Sequence, residues 1–277
     1  MPASASNSIW YVYGIVPSDM PETTLPDGLD DTGVALERHE GIAALVSVLE
    51  GNQYAPAALE TNSGDVEWLS PRAVAHDRVL TWASDHGAVV PLPMFSLFSG
   101  PEAVRSMLSE RSAQLASTLA SVAKGREYAL RVYRVDAELL GAVTSLSPRL
   151  GEMAKTAEAA SPGQRYLLER KLEGEKRSEV RSLSQRIVDE IMVELTTHAL
   201  SVVRSPIPRA ADAETATRGT IVLNAAFLVA PHQFEALQRT LTSLVARHGP
   251  HGFRFDFTGP WPPYHFVNEP VTTNDSK

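Results

Sequence analysis

Glu190, Glu194 and His198 recur every four residues, a spacing that lines one face of a helix. Two carboxylates and an imidazole so placed could hold a metal or run acid–base chemistry. A solvated charged stripe opposite Ile187 and Ile191 accounts for the same spacing more simply. His248 and His251 are a second pair at ligand-like spacing, but they bracket Gly249-Pro250, where a turn is the simpler account. Asp256 is the one carboxylate near them in sequence, whereas metal sites usually need three or four ligands. His76-Asp77 and Asp85-His86 are adjacent pairs that do not face each other on a helix. Ser70, just before Pro71, reads as a helix cap rather than a nucleophile. There is no Gly-rich phosphate loop, no dinucleotide fingerprint and no G-x-S-x-G elbow. No catalytic, cofactor or metal residue is assigned, and a cleft enzyme centred on Glu190, Glu194 and His198 is the lesser alternative to a binding protein.

The totals narrow the class further. A chain of 277 residues favours about two domains. With 43% hydrophobic residues it can bury real cores. Cysteine is absent, which removes disulfides and thiolate chemistry and fits a cytoplasmic protein. No apolar run reaches the length of a transmembrane helix, and MPASASNS has no signal-peptide pattern. A net charge of −8 argues against nucleic acid and anionic membrane surfaces as partners.

The elements that must position any site follow from periodicity. Ile9 to Val16 is apolar on both faces and reads as a central strand covered on both sides. Strands at 34–38 and 42–49 flank Glu40-Gly41, a tight hairpin. A helix from Ser70-Pro71 to His86, a short strand over 88–92 with 94–98 continuing apolar, a helix from Gly100-Pro101 to about Lys124 and a strand over 127–136 complete the first half. That order predicts an α+β fold: a ferredoxin-like antiparallel sheet with helices on one face, over 9–138. A second domain over 139–267 combines a long, coiled-coil-like helix from Ser161-Pro162 to about Ser201 with a small β-α-β unit. Val180, Leu183, Ile187, Ile191 and Leu195 form its apolar stripe, and the charged stretch Glu169 to Glu179 should be solvated or paired with another helix. Loose tails are expected at 1–8 and 268–277.

The stretch GFRFDFTGPWPPYHFV, Gly252 to Val267, closes the chain. Phe253, Phe255 and Phe257 alternate with Arg254, Asp256 and Thr258, a half-buried strand that Gly259-Pro260 should stop. Prolines 262 and 263 then hold Trp261 and Tyr264 on a stiff arm, which could pack on the chain's own body or present a docking surface.

Four segments together resemble the gas vesicle GvpF/GvpL proteins: WYVYGIV, DVEWLSPRAVAHDRVLTWASDHGAVVPL, YALRVYRV and GFRFDFTGPWPPYHFV. One departure stands out. Relatives tend to carry a basic-aromatic-glycine sequence after the P-L-P strand, whereas this chain has Met94-Phe95-Ser96-Leu97-Phe98. The resemblance implies two α+β domains and a cytoplasmic, vesicle-associated accessory role. It implies binding to the small hydrophobic shell protein GvpA and other Gvp components during nucleation or growth, with a minor structural role in the vesicle as the alternative. Trp261, Pro262, Pro263, Tyr264 and Phe266, with Phe95 and Phe98, are the candidate partner-binding or interdomain residues.

Overall fold

β1 (Ser8–Pro17) is the strand on which the first sheet is built in this computed structural model, which describes residues 8–207 and 218–267. The expected tails lie outside the described residues, except for Ser8, the first residue of β1. β1 runs antiparallel to β3 (Ile42–Glu50) from Ser8↔Glu50 to Pro17↔Ile42. A bulge lies between Val12 and Gly14. β2 (Ala35–His39) pairs with β3 across a two-residue turn in which Glu40 (φ 38°) and Gly41 (φ 87°) are both left-handed. That is the turn the Glu40-Gly41 dipeptide calls for. The short strands β4 (Val90–Pro91) and β5 (Leu97–Phe98) both pair with β1, so the order is β2-β3-β1-β4 with β5 also on β1.

Three helices belong with this sheet: α1 (Pro56–Asn62), α2 (Val66–His86) and α3 (Pro101–Val122). The α+β class is as expected, but α2 and α3 do not share a face. Tyr11, Tyr13, Ala43 and Leu45 pack with Ala75, Val79 and Leu80 of α2. Val12, Ile15, Ala44 and Val46 pack with Val104, Leu108 and Leu115 of α3. Alternate residues of a strand face opposite sides, so a strand apolar at every position needs a cover on each. The bulge shifts the alternation, which is why Val12 and Ile15 look the same way.

The second sheet has the order β7-β8-β6-β9. Its strands are β6 (Arg126–Arg134), β7 (Ser201–Arg204), β8 (Thr220–Val229) and β9 (Phe253–Trp261). Between β6 and β7 come α4 (Asp136–Leu146), α5 (Pro148–Glu158) and α6 (Pro162–Thr196); α7 (Phe234–His248) joins β8 to β9. This β-α-β-β-α-β succession, with β6 between β8 and β9, is the ferredoxin-like pattern. It belongs to the second sheet and not to the first, where three strands precede the first helix. The core joins Leu130, Val132, Phe227 and Phe253 of the strands to Leu139, Val143, Ile187, Ile191 and Leu195 of the helices.

Packing divides the chain into two units: the described residues of Met1–Glu127 and Pro260–Lys277, and Tyr128–Gly259. The ranges expected from the sequence placed the closing segment with the second unit; packing places it with the first. Three local boundaries also differ. α2 starts at Val66, where the Asp65 side chain accepts from the N–H of Glu67 (2.9 Å) and Trp68 (3.4 Å) and leaves Pro71 inside the helix. An aspartate with two free donors ahead of it is a sufficient cap without Ser70. α6 ends at Thr196 and not near Ser201, which instead opens β7, and β9 runs on through Pro260. Proline is tolerated there because β9 is the end strand of its sheet.

Candidate functional site

In the second unit, the end strand β9 has one strand neighbour among the described residues, β6. Between β9 and α7 lies an open recess of about 570 Å³. Phe257 and Leu241 form its apolar floor, and Glu235, Gln238, Arg239 and Thr242 its rim. The floor is held from below. Tyr128 stacks between Phe234 (4.6 Å) and Phe257 (5.4 Å), near-parallel to both. On the rim, Glu235 and Arg239 are 3.5 Å apart, one helical turn from each other. A rigid aromatic floor with a mixed-charge margin suits an apolar side chain offered by another polypeptide. No sequence signal marks this recess, because Phe257 and Leu241 read as ordinary core positions.

The expected docking residues are dispersed. Trp261 and Tyr264 keep 39% and 38% of their surface exposed. Pro262 and Pro263 are buried and Phe266 is half-buried. Tyr264 Oη donates to Asp77 Oδ1 at 2.8 Å, and both belong to the first unit. Burial, followed by the Asp77 carboxylate, pushes the Tyr264 phenol up. Phe98 packs on the α3 side of the first sheet. Phe95 lies on the α2 side, in a cluster with Trp68 (5.5 Å), Tyr11 (6.4 Å) and Tyr54 (6.4 Å).

That cluster carries a polar network. Arg72 lies over the Trp68 ring at 4.2 Å, pairs with Asp30 at 2.7 Å and donates to Tyr54 Oη at 3.0 Å. Tyr54 Oη in turn donates to Asp30. Tyr13 Oη accepts from the Leu29 N–H (2.8 Å) and donates to Ser47 Oγ (3.0 Å). The contacts tie the 28–31 loop and the 93–96 loop to α2 and β1, so the network fixes loops rather than exposing reactive atoms.

The acid–base set is committed to packing. Glu190 and Glu194 both accept from Arg247 of α7, Glu194 at 2.7 Å. His198 Nε2 lies 3.0 Å from Thr240 Oγ1. The stripe is thus not free in solvent: it joins α6 to α7. His248 is buried, and burial lowers its pKa; its Nε2 sits 3.4 Å from Glu190 Oε1 without hydrogen-bond alignment. Among the described residues no group of three or more His, Asp or Glu side chains could hold a metal ion. No described helix is long and apolar enough to cross a membrane. The charged part of α6 pairs with its neighbours as expected. Arg149 of α5 bridges Glu175 and Glu179, and Ser147 donates to Glu179 at 2.9 Å.

Comparison with known proteins points one way. The chain is 27% identical to gas vesicle protein L of a Streptomyces species, over 95% of this chain and 94% of that protein. It is 25% identical to gas vesicle protein L1 of Halobacterium salinarum, over 93% and 89% of the two chains. In fold it is similar to crystal structures of GvpF from Anabaena (TM-score 0.68, 19% identity, 97% of this chain and 100% of that one). GvpF from Microcystis aeruginosa gives a TM-score of 0.66 at 19% identity, over 94% and 99%. Residues 9–268 match the family described as gas vesicle synthesis protein GvpL/GvpF, and the chain belongs to that family.

Proposed function

We propose that this chain is a non-catalytic assembly factor of gas vesicles. In this reading it works in the cytoplasm, where it binds the hydrophobic shell protein GvpA and other Gvp accessory proteins while a vesicle nucleates or grows. A subunit that will form a gas-facing wall exposes apolar surface until it assembles, and a soluble acidic partner can shelter that surface. The observation that carries the reading is the open recess between β9 and α7, with its Phe257 and Leu241 floor, beside an end strand. An edge strand offers backbone hydrogen bonds and the recess offers a pocket, which together suit an extended or helical segment of an apolar subunit. The capture of Glu190, Glu194 and His198 in α6–α7 contacts favours binding over chemistry.

Co-purification of the tagged chain with GvpA, alone and with the remaining Gvp proteins present, tests this. Association in either setting supports it; no association in both removes it. Retention of the chain on mildly washed vesicles would instead mark it as a minor structural component.

A further inference from the structure

Glu127, near the start of β6, is only 1% exposed. Both of its carboxylate oxygens are met by one residue of the closing segment. The His265 N–H donates to Oε2 at 3.0 Å, and His265 Nδ1 lies 2.7 Å from Oε1. The preceding side chain, Tyr264, donates to Asp77 of α2 at 2.8 Å. Pro262 and Pro263 are buried, and Val267 packs against the α3-side core. Glu127, Asp77 and residues from Pro260 onward all belong to the first unit. Two carboxylates thus read two consecutive side chains, Tyr264 and His265, on a segment that prolines shape. This is the chemistry of a peptide-binding groove already filled by the chain's own end.

We infer that this groove also accepts the closing segment of a second copy of the chain, with Tyr264 and His265 of one copy seated on Asp77 and Glu127 of the other. The occupant is set by what the groove holds: a phenol on Asp77, and a paired N–H and imidazole on a buried carboxylate. A buried carboxylate left empty is strongly unfavourable, so the groove is filled either in cis or in trans. The lead-in to the segment is the end of β9: Gly259, at φ 125°, and Pro260 lie in that strand, so exchange also frees its last residues from the sheet. Exchange of an identical element is a low-cost route to self-association. A tethered segment competes at an effective concentration on the order of millimolar, so trans docking needs concentrated chains or a weakened tether.

The test uses the full chain and a fluorescent peptide of sequence GPWPPYHFV. Y264F/H265A weakens the cis segment and leaves the groove intact; this variant should bind the peptide at least tenfold tighter than the unaltered chain. Adding D77N and E127Q, close isosteres of the acids, should abolish that gain while circular dichroism stays native. In parallel, two differently labelled pools of the unaltered chain should exchange partners at high concentration and not at low. Peptide binding that ignores D77N and E127Q, or no binding to Y264F/H265A, overturns the inference. So does a monomer at every concentration. None of these readouts involves the shell protein, so the outcome is independent of the proposed function.

Discussion

The Tyr11 hydroxyl and His76 Nδ1 lie 2.7 Å apart, both buried on the α2 side of β1. The Phe95 N–H donates to the same hydroxyl at 3.2 Å. His76 also hydrogen-bonds the Leu92 backbone. His76 is a neutral staple between α2, β1 and the 92–95 turn.

Stability should therefore fall with acid in part through His76, beside the smaller contribution of the buried His248. Burial lowers the His76 pKa from 6.5 to about 4. A depressed imidazole means the unfolded chain binds the proton first, so stability rises with pH across about 4 to 6.5 and is lost as pH falls through that window. The slope from this group approaches about 1.4 kcal/mol per pH unit. Denaturant midpoints at pH 7, 6 and 5 measure it, and H76Q should flatten the difference. An unchanged pH dependence in H76Q would mean that His76 is not the group responsible.

Phe95 has φ 64°, a left-handed backbone at a bulky residue, and its ring stacks on Trp68. Strain of this kind is roughly 1–3 kcal/mol and persists because the surroundings hold it. The usual ranking of substitutions should invert here. F95G loses the ring contacts but relieves the backbone; F95A loses the ring contacts and keeps the strain. F95G should be the more stable of the two by about 1 kcal/mol. Thermal melts of both variants decide, and F95A at or above F95G would show the backbone is unstrained.

Much of this architecture was legible from residues and spacing. The two-faced apolar run Ile9 to Val16 announced a strand covered on both sides, and the Glu40-Gly41 turn and the α6 stripe fell where periodicity put them. What escaped depended on partners distant in sequence. Whether α2 and α3 share a face is decided by two interleaved sets of residues on β1 and β3, which a linear reading merges into one apolar run. Glu190 and Glu194 looked like a solvent stripe because Arg247 is more than fifty residues away. Glu127 carried no signal at all: its burial makes sense only once His265 has returned to it.

Gly28 is required for space rather than for dihedral freedom. A Cβ there would sit 2.2 Å from Tyr13 Oη and 2.5 Å from Ser47 Oγ. G28A should destabilise the chain by about 1–3 kcal/mol, as overpacking does. Removing the clashing hydroxyl should recover part of this. In a double-mutant cycle, G28A/Y13F should be destabilised by less than the sum of the single variants, with a coupling of about 0.5 kcal/mol or more. Strict additivity would mean the clash is relieved some other way.

Replacing Glu190, Glu194 and His198 together by alanine should lower stability by roughly 1–2 kcal/mol, the scale of a partly exposed ion-pair network. Vesicle formation in cells carrying the triple variant should persist. R247A alone should have a similar thermal effect, because it removes the common partner of both glutamates. Loss of vesicles with an unchanged melting temperature would return these residues to the list of functional groups.

The recess between β9 and α7 offers the most direct separation of binding from folding. Thr242 and Gln238 line it and are exposed, so larger or charged side chains fit there without disturbing the core. T242E introduces a carboxylate beside the Phe257 and Leu241 floor. An apolar side chain docked there would have to share a desolvated space with that charge, a penalty of several kcal/mol unless the charge is paired. T242E and Q238W, one by charge and one by filling the space, should each weaken capture of GvpA at least tenfold, about 1.4 kcal/mol. Their melting temperatures should stay within about 2 °C of the parent, because surface substitutions of this kind rarely exceed 0.5 kcal/mol. Full capture by both variants would move the docking surface elsewhere on the chain, with the exposed Trp261 and Tyr264 rings the next to alter.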